Sequence, residues 1–193
     1  MTLAVVTDSA AFLAPALAAE RGIGVVELHA IEGDDGATTA RPSVAELAEA
    51  YETALSRADE VLALHLTAVL SGTIDNARLA AARFGGRVRV LDLGVSAGAL
   101  GLAALAAAGA DDARRGAARA RDSASRSRIF FLVDSLSHLR RGGRMDRTTA
   151  MVGGALGIRP ILGADAEGLR VIEAVRGAGR ARRAGLRRRG RAR

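Results

Sequence analysis

Five short apolar runs, at 3–7, 24–28, 61–66, 88–92 and 129–133, punctuate a chain whose intervening stretches have helical periodicity, at 14–21, 44–57, 72–84, 97–108 and 111–121. A strand that is apolar along its whole length has no face to give to water, so it must be covered on both sides. Helices alternating with such strands supply that cover. The expected fold class is therefore α/β, with a parallel-sheet N-terminal domain and flanking helices. In sheets of this kind ligands bind at the carboxyl ends of the strands. Asp8-Ser9, residues 67–73 and residues 92–98 all fall at such ends, so the topology gathers them around one crevice.

The Arg- and Ser-rich stretch 114–128 has the composition of a helix running into an exposed connection, which places a domain boundary there and a first domain over 1–125. Short helices are expected at 134–141 and 148–156, and two strands, 159–162 and 169–175, about a turn at Gly168. That is too little to close a second core, so 126–175 reads as the start of an incomplete second α/β domain.

Charge separates the end of the chain from its body. All 28 basic residues are Arg, and nine of them lie in residues 176–193, where there is no acid. The net charge of +7 therefore becomes −2 over residues 1–175. A basic body suited to nucleic acid is not present; only the tail offers phosphate contacts, and it has no aromatic residue for base stacking. The tail is expected to be disordered, either as a purposeful basic arm or as the product of a frameshifted or prematurely ended reading frame. With no cysteine, neither disulfides nor thiolate metal sites are available. The longest apolar run, 97–110, is shorter than a membrane span, and Asp8 interrupts the apolar start before a leader can form, so a cytoplasmic protein is expected.

Ser71-Gly72-Thr73 stands between the apolar run 61–66 and the helix that follows. Unpaired amides at a helix start, the positive end of the helix dipole and two hydroxyl donors make an anion cradle, and Gly72 permits close approach. The same turn also reads as an ordinary helix cap formed by Ser71 or Thr73.

Five segments in order, Ala4-Val5-Val6-Thr7-Asp8-Ser9-Ala10, Thr39-Ala40-Arg41-Pro42-Ser43, Leu66 to Thr73, Leu139-Arg140-Arg141-Gly142-Gly143-Arg144 and Gly157-Ile158-Arg159-Pro160-Ile161-Leu162, resemble the DegV family of bacterial fatty-acid-binding proteins. The resemblance covers residues 3 to about 176. It implies a long-chain fatty acid as ligand, its carboxylate held by Thr39 and Ser71 and its acyl chain in an apolar slot between two domains. It also implies a fatty acid kinase as partner, to which the acid is presented for conversion to acyl phosphate in phospholipid synthesis. Two neutral hydroxyls with the Gly72 and Thr73 amides suit a carboxylate without burying an opposite charge. For Thr39, taken alone, a loop residue ahead of Pro42 is the simpler reading.

The chain departs from the family pattern in several places. Ala40 and Arg41 stand where the family has Ser and Gln, which removes a donor and sets a cation beside the carboxylate site. The turn 92–98 is one residue short, leaving Ser96 as a wall residue of the site. Arg141 or Arg144 reaches the head group or serves a structural salt bridge. Family members are roughly half as long again and carry a C-terminal His with no counterpart here, so a nonfunctional truncated fragment is one alternative and polyanion binding through the tail another.

No catalytic constellation, cofactor site or metal site is legible. His29, His65 and His138 are scattered, and His65 inside its apolar run reads as a buried, hydrogen-bonded residue rather than a base. Asp8-Ser9 lacks a G-x-S-x-G turn, and Arg141-Gly142-Gly143-Arg144 is not followed by Gly-Lys-Ser/Thr. A binding protein rather than an enzyme is expected.

Overall fold

A computed structural model describes residues 1–31, 38–132, 136, 139, 143–144, 158–165 and 168–176. The chain divides into two compact units, Met1–Ser127 and Arg128–Arg193.

The first unit is built on a parallel sheet of β1 (Leu3–Asp8), β2 (Ile23–Val26), β5 (Glu60–Leu64) and β6 (Val88–Leu91), in the order β2-β1-β5-β6. Its helices are α1 (Pro15–Glu20), α2 (Val44–Leu55), α3 (Thr73–Ala81), α4 (Ala97–Ala108) and α5 (Ala113–Ser125). The pleat sends alternate side chains to opposite faces. Ala4, Val6, Val61 and Ala63 join Leu47, Tyr51, Ala77 and Ala80 of α2 and α3 in one core. Gly116 of α5 packs against Leu3 and Leu62 on the other face, and α4 packs on β1 and β5. Both faces are covered, as the apolar runs require. Val61, Leu62, Ala63 and Leu64 are wholly buried, which for the large side chains contributes about 1.5–3 kcal/mol each.

Local signals set the helix starts. Ser43 and Glu46 form a reciprocal capping box on α2, and Asp112 caps α5 by accepting from the Arg115 amide. α5 then runs through the Arg- and Ser-rich stretch to Ser125, because Ala113, Gly116, Ala117, Ala120 and Ala124 recur on one face and bury it.

A feature without sequence warning is a small antiparallel pair, β3 (His29–Ile31) with β4 (Thr38–Ala40). In the second unit β7 (Phe130–Leu132), β8 (Ile158–Asp165) and β9 (Gly168–Arg176) form an antiparallel sheet in that order, and Leu136 and Leu162 center a small apolar cluster with Phe131, Leu139, Leu169 and Val171. The helices expected at 134–141 and 148–156 lie largely outside the described residues, as does the tail from 177 onward. No described helix is long and apolar enough to cross a membrane.

Candidate functional site at the carboxyl ends of the strands

Asp8, the last residue of β1, is wholly buried and is the hub of this edge. One carboxylate oxygen accepts from the Leu66 amide at 2.8 Å and meets His65 Nδ1 at 3.2 Å; the other accepts from the Ala10 amide at 3.1 Å. His65 Nε2 lies 2.9 Å from the Tyr51 hydroxyl. Burial, and then the charge of Asp8, push the Tyr51 hydroxyl well above the ordinary phenol range, so it stays protonated; with Nδ1 facing an Asp8 oxygen that accepts from the Leu66 amide, the neutral tautomer that satisfies both contacts has Nε2 accepting from Tyr51. The ring hydrogen then sits on Nδ1 and is donated to Asp8. His65 is thus the buried, hydrogen-bonded residue its apolar run suggests. Its second nitrogen is spent on Tyr51, and the Ser9 hydroxyl accepts from the Leu28 amide, so Asp8-Ser9 forms no nucleophile with a base.

Beyond β5 the chain turns toward α3 under two carboxylates. Asp8 holds Leu66, and Asp92, just past β6, accepts from the Ala68 amide at 3.0 Å and from the Gly94 amide at 3.0 Å. The amides of Leu70 and Ser71 both donate to the Thr67 carbonyl, closing the turn that presents Ser71.

Gly72, not Ser71 or Thr73, occupies the cap position of α3. The Ser71 and Thr73 hydroxyls are 2.8 Å apart, and the Thr73 amide donates to Ser71 Oγ at 3.3 Å. Thr73 is wholly buried while Ser71 is half-buried. When both Thr73 groups donate to Ser71 Oγ, its acceptor capacity is filled and its own hydrogen is left to donate outward. Such a hydroxyl suits an anion.

The hairpin that carries Thr39 is fastened next to this turn. His29 Nε2 and Glu46 Oε1 are 2.7 Å apart, and Asn76 of α3 donates to the Pro42 carbonyl at 2.8 Å. Between these ties the Arg41 side chain lies over Gly72, with Cζ 3.0 Å from where a Cβ would stand. The space left by the absent side chain at Gly72 therefore holds the Arg41 guanidinium. Thr39, two residues before Arg41, pairs through its backbone with Ala30.

Ser96 caps α4 but makes no capping hydrogen bond; its Oγ and Thr7 Oγ1 are buried with no partner among the described residues. Ala97 beside it has a left-handed backbone (φ 51°), as does Phe12 after β1 (φ 51°). Strain and unpaired buried hydroxyls along one sheet edge are features of binding sites. Arg141 lies outside the described residues. Among the described residues no group of three or more acids and histidines could hold a metal ion.

A sequence profile of the DegV family, described as uncharacterised proteins, matches residues 29–187. The chain belongs to the DegV family. It is 38% identical over 190 residues to a DegV domain-containing protein of Deinococcus radiodurans, covering 84% of this chain and 67% of that one. A DegV family protein from Thermus thermophilus, described for its fatty acid binding, is similar in structure with a TM-score of 0.85 at 29% identity, over 100% of this chain and 78% of that one. DegV of Bacillus subtilis, a fatty acid binding protein, gives a TM-score of 0.81 at 27% identity, over 97% and 76%. The sequence pattern missed the Asp8–His65–Tyr51 chain, whose members come from the end of β1, the residue after β5 and α2; the signal that was available is a His within an otherwise apolar run.

Proposed function

We propose that this DegV protein binds a long-chain fatty acid, with the carboxylate at the Ser71-Gly72-Thr73 turn beside the Thr39 hairpin and the acyl chain in an apolar slot. Ser96 is a wall residue of the proposed head-group site, and the bound acid is presented to a fatty acid kinase in the cytoplasm. The observation that carries this reading is the half-buried Ser71 hydroxyl at the start of α3, which accepts from the Thr73 amide and, with the Thr73 hydroxyl as donor in their 2.8 Å contact, keeps its own hydrogen for an anion. Fatty acid binding by the Thermus thermophilus and Bacillus subtilis relatives supports the ligand class. Each buried CH₂ is worth about 0.8 kcal/mol, so a long chain supplies most of the affinity and the head group fixes orientation. The protein would act as a binding protein and not an enzyme.

Organic extraction of the purified protein, with mass spectrometry of what is released, tests the ligand class directly. A co-purified long-chain fatty acid is expected. A protein that carries no lipid and binds no added hexadecanoic acid would refute the reading.

A further inference from the structure

We propose that Arg41 is the specificity-determining residue of this site, selecting an ionised lipid head over a neutral one; the assignment rests on the fatty-acid reading above. Its guanidinium is seated in the side-chain space of residue 72, with Cζ 3.0 Å and Cδ 3.3 Å from an ideal Cβ position there. Gly72 has φ −73°, a conformation open to any residue, so its backbone does not call for glycine. What fills the space of a Cβ there is the far end of the Arg41 side chain.

The placement is electrostatically unfavourable by itself. The guanidinium lies against the first turn of α3, at the positive end of the helix dipole. Among the described residues it makes no hydrogen bond or ion pair, and the acid on that turn, Asp75, is 3.6 Å from Arg78 instead. A cation seated on a positive helix end, with all its donors unspent, is satisfied by an anion bound between them. With the Thr73 hydroxyl as donor in its contact with Ser71, the Ser71 hydroxyl is left to donate to the same anion. The planar fork of a guanidinium matches the two oxygens of a carboxylate, which a glutamine at this position cannot do with charge. Pro42 and the Asn76 bond to its carbonyl hold the backbone from which Arg41 reaches over.

The test titrates hexadecanoic acid and its methyl ester into the full chain, the Arg41→Gln, Arg41→Lys and Gly72→Ala variants, with thermal melts of each. The parent is expected to prefer the acid. Arg41→Gln should weaken acid binding about tenfold while leaving ester binding and the melt unchanged, because the side chain is exposed and unpaired. Arg41→Lys should recover part of the preference. Gly72→Ala keeps the charge but evicts the guanidinium from its seat, and should lose the preference as Arg41→Gln does. A parent that discriminates, with Arg41→Gln or Gly72→Ala discriminating equally well, overturns the assignment and leaves the fatty-acid reading standing. A parent that binds acid and ester equally overturns it by showing no carboxylate site. A parent that binds neither removes both.

Discussion

Replacing Asp8 by Asn changes one oxygen of a wholly buried carboxylate into an NH₂ group, and every partner of that carboxylate is a donor. The Leu66 amide and His65 Nδ1 share one oxygen, and the Ala10 amide takes the other. An Asn can keep its oxygen toward the first pair and set its NH₂ against the Ala10 N–H, or flip and lose two bonds. Net contributions of hydrogen bonds to a charged group are about 1.5–3 kcal/mol each, and donors left facing each other add a desolvation cost. The better orientation loses one such bond, so Asp8→Asn should destabilise the first unit by about 2–4 kcal/mol. For a domain of this size that corresponds to a fall in Tm of roughly 10 °C. Tyr51→Phe is the graded control: it leaves His65 Nε2 without its donor but keeps the ring edge-on to Phe84, with centroids 6.2 Å apart, and should cost about 1–2 kcal/mol. Urea unfolding followed by circular dichroism measures both. An Asp8→Asn protein within about 0.5 kcal/mol of the parent would refute the hub role, as would a Tyr51→Phe protein less stable than Asp8→Asn.

Ser71→Ala should lower affinity for hexadecanoic acid by about 1.5–3 kcal/mol while costing roughly 1 kcal/mol of stability through the orphaned Thr73 hydroxyl, so a variant losing stability alone would return Ser71 to a purely structural role. Gly101→Ala places a Cβ 2.5 Å from the Ala11 carbonyl oxygen, a backbone atom that cannot rotate away, and should destabilise by about 1–3 kcal/mol in thermal melts; a neutral substitution would show that α4 can slide on the turn after β1. Hydrogen bonds from the Ser43 side chain and backbone, ahead of His29, hold the Glu46 carboxyl below the usual carboxylate range. Its contribution is present at neutral pH and lost as pH falls through that lowered value, so Glu46→Gln should be less stable than the parent at pH 7 and equal to it at strongly acid pH. A stability difference that grew on acidification would contradict the capping-box account.

Elements whose causes lie within a few residues could be read from the chain alone. Four of the five apolar runs become β1, β2, β5 and β6 because a strand apolar throughout must lie in the middle of a layered structure, whereas the fifth becomes β7, a half-exposed edge strand of the antiparallel sheet. Helix α4 spans Ala97–Ala108, where its composition places it, and α2 starts at Val44, where the helical stretch begins. The motif order was legible too, because it depends on local turn chemistry and not on how the chain is routed. The pair β3 and β4 was not: strands of three residues carry no period to detect, and theirs is stabilised by the His29–Glu46 contact and the neighbouring turn.

Tertiary structure alone decided the rest. Asp8 and His65 are 57 residues apart, and they meet because β1 and β5 are adjacent in the order β2-β1-β5-β6, which no local pattern specifies. The role of Gly72 belongs to the same class. In the sequence it is a glycine at a helix start, consistent with ligand approach; in the fold its missing side chain makes room for Arg41, brought there by a hairpin from elsewhere in the chain. Periodicity and capping act over one or two turns of backbone and are written in neighbouring residues. A buried carboxylate's partners, or the cation beside an anion site, depend on which strands lie side by side, and that is settled only when the whole sheet buries its apolar faces together.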